Sequence, residues 1–354
     1  MDISKLQPES FNHIQSIVEK NRIGNAYLIN GPSGSGKEAF ALTFGSLITG
    51  VEIESFINNP NIFLILPGDS EFYKNLFKSS KMDEKEYVEW KNYWREKLLF
   101  PLKKKKISNS KRIPINVLKN LKKNIFFKSD HRKVVIIFDA HALSEGSAES
   151  ANALLKILEE PPNNTSFILV SESINQVVPT IASRCQTINM PRIESKNLHD
   201  LLDRKNNFDA ETISFLSNNN LNKIDLLDEY SKESILDIVN KYIHAIQYDT
   251  PESVALFSED MILNFSSKRE RFHFELNIIK KWLECTLLIQ ETISLPFHWD
   301  NFTDLGEDFL SKNSNSRILD LLKEIEICLN NLKGNSAPKL AIMNMIINSH
   351  NSLN

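Results

Sequence analysis

The stretch that decides the fold is Gly31-Pro32-Ser33-Gly34-Ser35-Gly36-Lys37-Glu38. It joins an apolar run, residues 26–29, to a helical pattern that starts at Ala39. A strand, a glycine-rich loop and a helix in this order are typical of a phosphate-binding loop. Its glycines let backbone N–H groups close around phosphate oxygens at a helix N-terminus, and its lysine reaches the outer phosphates. The sequence therefore predicts a P-loop domain whose loop residues are Gly31, Gly34, Gly36 and Lys37.

Glu38 departs from the usual pattern of such loops. A Ser or Thr normally follows the lysine, and its hydroxyl coordinates Mg²⁺. A carboxylate instead adds negative charge beside the phosphates, a repulsion of about 4 kcal/mol for two unit charges about 4 Å apart at an effective dielectric of about 20. Because of this repulsion, we expect weak binding of ATP or ADP at most. The alternative interpretation of the stretch is a glycine turn that holds no ligand.

A second signature is a β-branched strand, residues 134–138, that ends in Asp139. In P-loop proteins an aspartate at this place holds Mg²⁺ beside the phosphate loop. The next residue of a hydrolytic site would be a glutamate that orients the attacking water, and here it is Ala140. Asp139 is thus a candidate nucleotide-site residue, with a strand-end cap as the alternative.

Strand and helix patterns alternate from about residue 11 to residue 190, which predicts a parallel sheet with short right-handed crossovers. Within this part, residues 69–114 have a looser pattern, and we interpret them as an insertion of one or two helices followed by a lysine-rich loop. Ser144 or Ser147 is expected to cap the helix over residues 151–158.

After Pro191 the apolar patterns are helical. Three short ones predict a small helical unit over residues 191–232, and longer amphipathic ones predict a second helical domain over residues 233–354. Apolar faces this regular fit either an ordinary bundle core or an interface between subunits.

The composition is that of a soluble globular protein, with 41% hydrophobic and 25% charged residues among 354. The first residues lack a signal-peptide pattern and no apolar run reaches membrane-spanning length, so we expect a cytoplasmic protein without a membrane contact. Cys185, Cys285 and Cys328 make neither a disulfide framework nor a zinc-ligand pair. No metal site is predicted.

The net charge of −3 hides a strongly basic segment. Residues 103–133 hold 12 Lys and Arg against one acidic residue, Asp130. One interpretation is a solvated loop. The other is a surface that contacts nucleic-acid phosphates, since clustered lysines bind nucleic acid through counterion release. The candidate contact residues are Lys103, Lys104, Lys105, Lys106, Lys119, Lys122 and Lys123.

Four further stretches resemble the bacterial DNA polymerase III clamp-loader family, and within it the delta-prime type. They are Asn-Arg-Ile-Gly-Asn-Ala-Tyr at 21–27, Ala-Asn-Ala-Leu-Leu-Lys-Ile-Leu-Glu-Glu-Pro-Pro at 151–162, Ile-Ala-Ser-Arg-Cys-Gln at 181–186, and Asn-Ser-Ala-Pro-Lys-Leu at 335–340. The resemblance covers most of residues 11–190, is weaker beyond them, and fails over residues 69–114.

The resemblance implies an AAA+ α/β domain over residues 1–190, a helical lid over 191–232 and a helical collar over 233–354. It implies assembly with other clamp-loader subunits into an open ring, which loads the sliding clamp onto primer–template DNA during replication. The family's cysteine-rich zinc module is missing, because no Cys occurs between Gly31 and Ala182. No zinc is therefore expected.

Arg184 matches the arginine that one subunit of this family projects into the ATP site of the next, and Ser183 and Cys185 complete its motif. A guanidinium keeps its charge at any physiological pH, and its planar fork suits the γ-phosphate oxygens on which charge develops. The alternative for Arg184 is a surface ion pair.

The departures from the family pattern decide which function the sequence favours. Glu38, Ala140 and the missing arginine near residues 219–222 each damage hydrolysis, and none of them damages assembly. We therefore predict a delta-prime-like subunit that completes the ring and supplies Arg184 in trans, without catalysis of its own.

Two other functions are open. The first is a gamma-like ATPase motor subunit of the same clamp loader, in which Glu38 would serve as an unusual Mg²⁺ ligand. The second is an unrelated P-loop nucleotide kinase. That enzyme would need arginines for its substrate phosphates, and residues 1–131 hold only Arg22, Arg95 and Arg112.

Overall fold

The chain forms two groups of contacting residues. The first, called the α/β unit, comprises residues 1–197 and 220–222, and the second, called the helical unit, comprises residues 198–219 and 223–354. The computed structural model describes residues 3–68, 84–103, 111–145, 148–202, 208–248, 250–313, 317–333 and 336–353. The division of the helical part into a lid and a collar stays a prediction.

A five-stranded parallel sheet forms the centre of the α/β unit, with the strand order β2-β3-β4-β1-β5. Every residue of β3 and β4 is buried, as their continuous apolar runs predict for a sheet covered on both faces. The predicted strands and the predicted fold class are confirmed. The strands are β1 Ala26–Asn30, β2 Ile62–Ile65, β3 Lys133–Ile137, β4 Thr165–Ser171 and β5 Gln186–Asn189.

Helices pack against both faces of this sheet. The helices of this part of the chain are α1 Ile3–Leu6, α2 Pro8–Glu19, α3 Lys37–Thr49, α4 Glu84–Leu99, α5 Ile115–Ile125, α6 Glu149–Glu159 and α7 Pro179–Ala182. On one face α3 packs against β1, β3 and β4, with the rings of Tyr27 and Phe44 at 4.8 Å. On the other face Leu28, Val135 and Phe167 share a core with α5 and α6. Alternate residues of each strand thus serve opposite faces.

The predicted cap of α6 is wrong for Ser144, and Ser147 lies outside the described residues. A 3₁₀ turn, Ala140–Leu143, intervenes after β3 and moves the start of the helix on to Glu149. Ser144 ends that turn, and its Oγ donates to the His141 carbonyl at 3.0 Å. Ala148 takes the N-cap position, without a side-chain hydrogen bond.

The helical unit is built from long amphipathic helices, as predicted. The helices after α7 are α8 Ser195–Leu202, α9 Ala210–Ser217, α10 Leu221–Leu227, α11 Lys232–Gln247, α12 Pro251–Ser267, α13 Arg269–Gln290, α14 Asp300–Lys312, α15 Ile318–Lys333 and α16 Pro338–Asn351. Sequence reasoning missed α12 and α14. A signal for α12 was present, since Thr250 caps it by accepting from the Ser253 N–H at 3.1 Å, and a proline follows the cap.

A buried carboxylate joins the helices of this unit. Glu275 on α13 accepts hydrogen bonds from Asn264 Nδ2 at 2.7 Å, Arg271 Nε at 2.8 Å and the Tyr230 hydroxyl at 3.2 Å. Burial first, and then the Glu275 carboxylate, raise the pKa of the Tyr230 hydroxyl. The charge is therefore satisfied inside the unit, as a buried carboxylate requires. In the described part of the chain, no helix has both the length and the apolar character needed to cross a membrane.

Helix α4 confirms the predicted helical insertion and is fixed to the α/β unit by two side chains. Trp94 is 1% exposed, and its ring lies 5.9 Å from that of Phe138. Lys97 is 3% exposed, and its ammonium contacts the Glu38 carboxylate at the start of α3. The same ammonium donates to the carbonyls of Pro101 at 3.2 Å and Lys103 at 2.8 Å. All three of its donors thus have acceptors.

Replacing Lys97 by methionine is expected to lower the free energy of unfolding by about 1–3 kcal/mol, because the change leaves the half-buried Glu38 carboxylate without its cation. A second change, Glu38→Gln, should lower the free energy of unfolding by less in the Lys97→Met background than in the wild type. Urea titration of the four proteins gives this coupling energy. Lys20→Met, which removes an exposed lysine, is the control. Independent, additive effects would contradict the ion pair.

Candidate functional site

The phosphate loop lies where sequence reasoning placed it, between the end of β1 and the start of α3. Gly34 and Gly36 have φ of 75° and 82°, in the left-handed region that favours glycine. Gly36 is the N-cap of α3, and Lys37 is its first residue. The structure therefore brings Gly31, Gly34, Gly36 and Lys37 together in one loop at the carboxyl edge of the sheet.

The ammonium of Lys37 is turned toward its own chain. Lys37 is 5% exposed, and its Nζ donates to the Pro32 carbonyl at 3.2 Å. A carboxylate oxygen of Glu172 lies 4.0 Å from the same Nζ. Sequence reasoning missed Glu172. The signal was its position directly after β4, because the carboxyl ends of parallel strands meet at one edge of the sheet.

Residues 220–222 of the α/β unit cover the loop at Gly34. The Leu221 N–H donates to the Gly34 carbonyl at 3.1 Å, and Asn222 Nδ2 donates to Ser33 Oγ at 3.1 Å. A Cβ added at Gly34 would lie 2.0 Å from Asn220 Oδ1. The close approach of this segment thus requires a glycine at position 34, whether or not a phosphate binds.

The other glycines of the loop are crowded in the same way. A Cβ at Gly36 would lie 2.8 Å from Ile3 Cδ1, and one at Gly31 would lie 2.5 Å from the Met190 carbonyl oxygen. The Met190 oxygen belongs to the backbone and cannot move aside, whereas the tip of the Ile3 side chain can shift. Packing therefore requires the glycine at position 31, and the left-handed φ favours the glycine at position 36.

The sequence suggested that Glu38 is an unpaired negative charge beside the loop, but in the structure it is paired. Its carboxylate is neutralised by Lys97, which belongs to the insertion. Sequence reasoning missed Lys97, since no local pattern links residues that are 59 positions apart. The place where a Mg²⁺ ligand is expected is thus occupied by an internal ion pair.

The space beside the helix end of the loop is small. A cavity of about 20 Å³ lies among Lys37, Glu38, Pro101 and Leu102, which is room for about one water molecule. Pockets for drug-sized ligands measure about 300–1,000 Å³. A larger open depression of about 540 Å³ lies at the ends of β1, β4 and β5, next to Pro32 and Glu172.

Asp139 follows β3 at the same edge of the sheet as the loop. Its φ of 47° is left-handed, a conformation that aspartate tolerates better than most residues. Its backbone carbonyl accepts from the Ala142 N–H at 2.8 Å at the start of the 3₁₀ turn, and its side chain makes no capping hydrogen bond. Ala140 is 2% exposed. Asp139 thus caps the strand end through its backbone and not through its side chain, and its part in a nucleotide site stays a prediction.

Arg184 lies on the turn after α7, with its side chain 38% exposed. Its Nη2 pairs with Glu159 Oε1 at 2.8 Å, and its Nη1 donates to the Thr180 carbonyl at 2.9 Å. The isolated chain thus has the surface ion pair that was the alternative interpretation. An exposed pair of this kind contributes only about 0–1 kcal/mol, so it is easily exchanged for another acceptor.

The neighbours of Arg184 hold the turn in place. Ser183 Oγ donates to the Thr180 carbonyl at 3.2 Å. Cys185 packs against the core of the α/β unit, and burial raises the pKa of its thiol to about 12. Burial therefore favours the neutral thiol over the thiolate, which is the reactive form. Both residues support the motif through structure.

The lysines of the basic segment fall into two groups. Lys119, Lys122 and Lys123 are exposed on α5, on the side opposite its buried residues. Lys103 is exposed, and its Nζ lies 5.7 Å from the centroid of the Phe100 ring. The predicted contact residues Lys104, Lys105 and Lys106 lie outside the described residues. No group of three or more His, Cys, Asp or Glu in the described part of the chain could hold a metal ion.

Comparison with known proteins gives related polymerase subunits. The delta' subunit of DNA polymerase III from Bacillus subtilis (strain 168) is 24% identical over 281 residues, 78% of this chain and 75% of that protein. The gamma subunit of Buchnera aphidicola subsp. Schizaphis graminum is 26% identical over 205 residues, 55% of this chain and 52% of that protein. This chain thus spans about half the length of the Buchnera relative.

Among solved structures, a DNA polymerase III gamma subunit-related protein from Thermotoga maritima aligns with 98% of this chain and all of that chain, at 16% identity and a TM-score of 0.48. A family model described as DNA polymerase III, delta subunit, matches residues 6–194. The AAA+ fold class is confirmed by the parallel sheet, with the phosphate loop after β1 and helices beyond β5. Because the family model matches more than half of its residues, the chain belongs to the DNA polymerase III, delta subunit, family, and the predicted resemblance to the delta-prime type is confirmed.

Proposed function

We propose that this chain is a non-hydrolysing, delta-prime-like subunit of the DNA polymerase III clamp loader. It completes a hetero-oligomeric ring with other clamp-loader subunits and takes part in loading the sliding clamp onto primer–template DNA. The observation that carries the proposal is the phosphate loop, whose lysine and Mg²⁺-ligand position are both satisfied by groups of the chain itself.

Opening this loop to a nucleotide would have several costs. Lys37 would leave the Pro32 carbonyl, and residues 220–222 would give up hydrogen bonds to Ser33 and Gly34. A Mg²⁺ ion beside Glu38 would have to displace the Lys97 ammonium, which is buried and would then lack its counter-charge. These contacts support a loop that serves as architecture and binds ATP or ADP weakly at most.

The position of Arg184 supports a role in catalysis at the ATP site of another subunit. Its guanidinium is at the surface, and the carboxylate that holds it can be exchanged for phosphate oxygens at small cost. An arginine supplied in trans stabilises the charge that develops on the transferred phosphoryl group. In this proposal Ser183 and Cys185 fix the turn, and Arg184 completes the ATP site of a neighbouring subunit.

The gamma-like motor is the second candidate, and the similarity to gamma subunits favours it. It requires Glu38 to ligate Mg²⁺, although Lys97 already neutralises that carboxylate. It also requires a water-orienting group where the chain has the buried Ala140. The nucleotide kinase has no observation in its favour.

The purified chain is expected to show no ATP turnover above background, because the loop is closed and position 140 has no group that orients water. Lys37→Ala should leave that background unchanged in a steady-state phosphate-release assay. Turnover by the wild type that disappears in Lys37→Ala would favour the motor subunit instead.

Arg184→Ala is expected to lower hydrolysis at the neighbour's ATP site by about 10³-fold or more, the contribution typical of an arginine supplied in trans. The measurement is total ATP turnover by the assembly, reconstituted with its motor subunits, clamp and primed DNA. This turnover should fall by the fraction that the one affected ATP site contributes. Arg184→Lys should retain most of the defect, because an ammonium lacks the bidentate fork.

Arg22→Ala is the matched control for this experiment, since Arg22 is an exposed arginine of the same α/β unit. The control should leave turnover unchanged. Equal turnover by wild type and Arg184→Ala in an assembled complex would refute the role of Arg184.

Neutralising Lys119, Lys122 and Lys123 to alanine is expected to weaken binding of primed DNA by the full chain. The slope of log K against log salt should fall by up to about 3, because each lysine–phosphate contact contributes about 0.9. Fluorescence anisotropy at several salt concentrations measures this. The control changes three exposed lysines elsewhere, Lys5, Lys20 and Lys268, and should leave the slope as it is. If the slope is the same for both triple variants, the three lysines of α5 do not contact DNA.

A further inference from the structure

Two glutamates at the end of α6 occupy an unfavourable place. Glu159 is the last residue of this helix, Glu160 is its C-cap, and two prolines follow. The last carbonyls of a helix leave partial negative charge at this end, so that acidic side chains there destabilise the helix. Lys156 in the last turn offsets part of the charge. Helix stability thus gives no reason for a pair of glutamates here.

Arg184 supplies a positive charge at this helix end. Its Nη2 lies 2.8 Å from Glu159 Oε1, and the two side chains are 38% and 50% exposed. Its Nη1 donates to the carbonyl of Thr180, on α7, at 2.9 Å. Each terminal nitrogen of the guanidinium thus donates to an acceptor of its own subunit.

The fold holds the two partners of this ion pair side by side. Leu158, which precedes Glu159, and Ile181 of α7 belong to the same buried core of the α/β unit. Cys185, which follows Arg184, packs against that core. The backbones that carry the pair are therefore fixed relative to each other, and only the side chains need to move when the pair opens.

A phosphate group competes with Glu159 for the same guanidinium. Carboxylate and phosphate oxygens are both acceptors that match the planar fork of an arginine. When Arg184 turns to a phosphate, Glu159 loses its counter-charge, while another negative group has approached. Because the pair is exposed, solvent screens this cost and the exchange remains possible. Glu159 therefore opposes the exchange by a limited amount.

We propose that Glu159 is a positioning residue that holds Arg184 on its own subunit until ATP phosphates in the neighbouring site take the place of the carboxylate. The inference rests on the proposed function, in which Arg184 acts in trans. It adds a competition at that site, because Glu159 raises the ATP concentration at which the arginine engages. While the neighbouring site is empty, the arginine stays withdrawn.

Glu159→Gln tests this inference in the assembly reconstituted with motor subunits, clamp and primed DNA. Subtracting the turnover of the matching Arg184→Ala assembly, over a range of ATP concentrations, isolates the turnover that depends on the arginine. The KM of this part is expected to fall by up to about 5-fold, the factor that corresponds to an exposed ion pair, with kcat unchanged. A merely structural role of Glu159 would not separate the two parameters.

Glu160→Gln is the matched control, since it removes the same charge one residue further along the chain. It should leave KM as in the wild type. In an Arg184→Ala background, Glu159→Gln should not change turnover. Equal falls of KM in the two glutamate variants would assign the effect to the charge of the helix end and refute the ion pair.

The full chain without partners provides a second measurement. Phenylglyoxal modifies guanidinium groups, and mass spectrometry of peptides gives the rate at each arginine. Arg184 is expected to react up to about 5-fold faster in Glu159→Gln than in the wild type. The exposed Arg22 should react equally fast in both proteins. Equal rates at Arg184 would refute the holding contact.

The results in the assembly distinguish this inference from the proposed function. If Arg184→Ala lowers turnover but Glu159→Gln changes neither KM nor kcat, the inference fails and the role of Arg184 stands. A lower kcat in Glu159→Gln would mean that the carboxylate orients the arginine during the reaction, which also overturns the inference. Turnover that is unaffected by Arg184→Ala would refute the proposed function, and the inference with it.

Discussion

The ammonium of Lys97 is the group on which the closed phosphate loop depends. A charge that is taken out of water must find a counter-charge and acceptors, and Lys97 finds them in the Glu38 carboxylate and two carbonyls of its own turn. This requirement draws residues 101–103 onto the loop and fixes the insertion helix α4. It also occupies the side chain that stands where a Mg²⁺ ligand would be. One ion pair thus satisfies a buried charge of the α/β unit. In our proposal the same pair disfavours the chemistry for which this type of loop is known.

The rest of the loop follows the same logic. Gly34 and Gly36 have left-handed angles, and a Cβ at Gly31 or Gly34 would collide with Met190 or with Asn220 and its neighbour. Lys37 uses a carbonyl and a carboxylate of the chain in place of phosphate oxygens. In our proposal the loop keeps its sequence pattern while internal contacts take the place of ligand contacts. The charged groups to which we assign partner contacts, Arg184 and the exposed lysines of α5, lie elsewhere in the α/β unit.

Arg184 is carried on a short turn that hydrogen bonds hold in place. Both Arg184 Nη1 and Ser183 Oγ donate to the Thr180 carbonyl. Cys185 packs against the core of the α/β unit and anchors the end of the turn. A side chain presented on a backbone fixed in this way loses little freedom on binding.

The sequence by itself determined the parallel α/β class, the order of its strands along the chain, the position of the loop and the long helices that follow. These depend on local periodicity and on residues adjacent in the chain, which a sequence displays directly. It missed α12 and α14, and it misplaced the start of α6, because a 3₁₀ turn after β3 competes with helix initiation. Only the tertiary structure decided that Lys97 neutralises Glu38, that residues 220–222 close the loop, and that Glu159 holds Arg184. Those contacts join residues distant along the chain, and packing, which no local pattern encodes, brings them together.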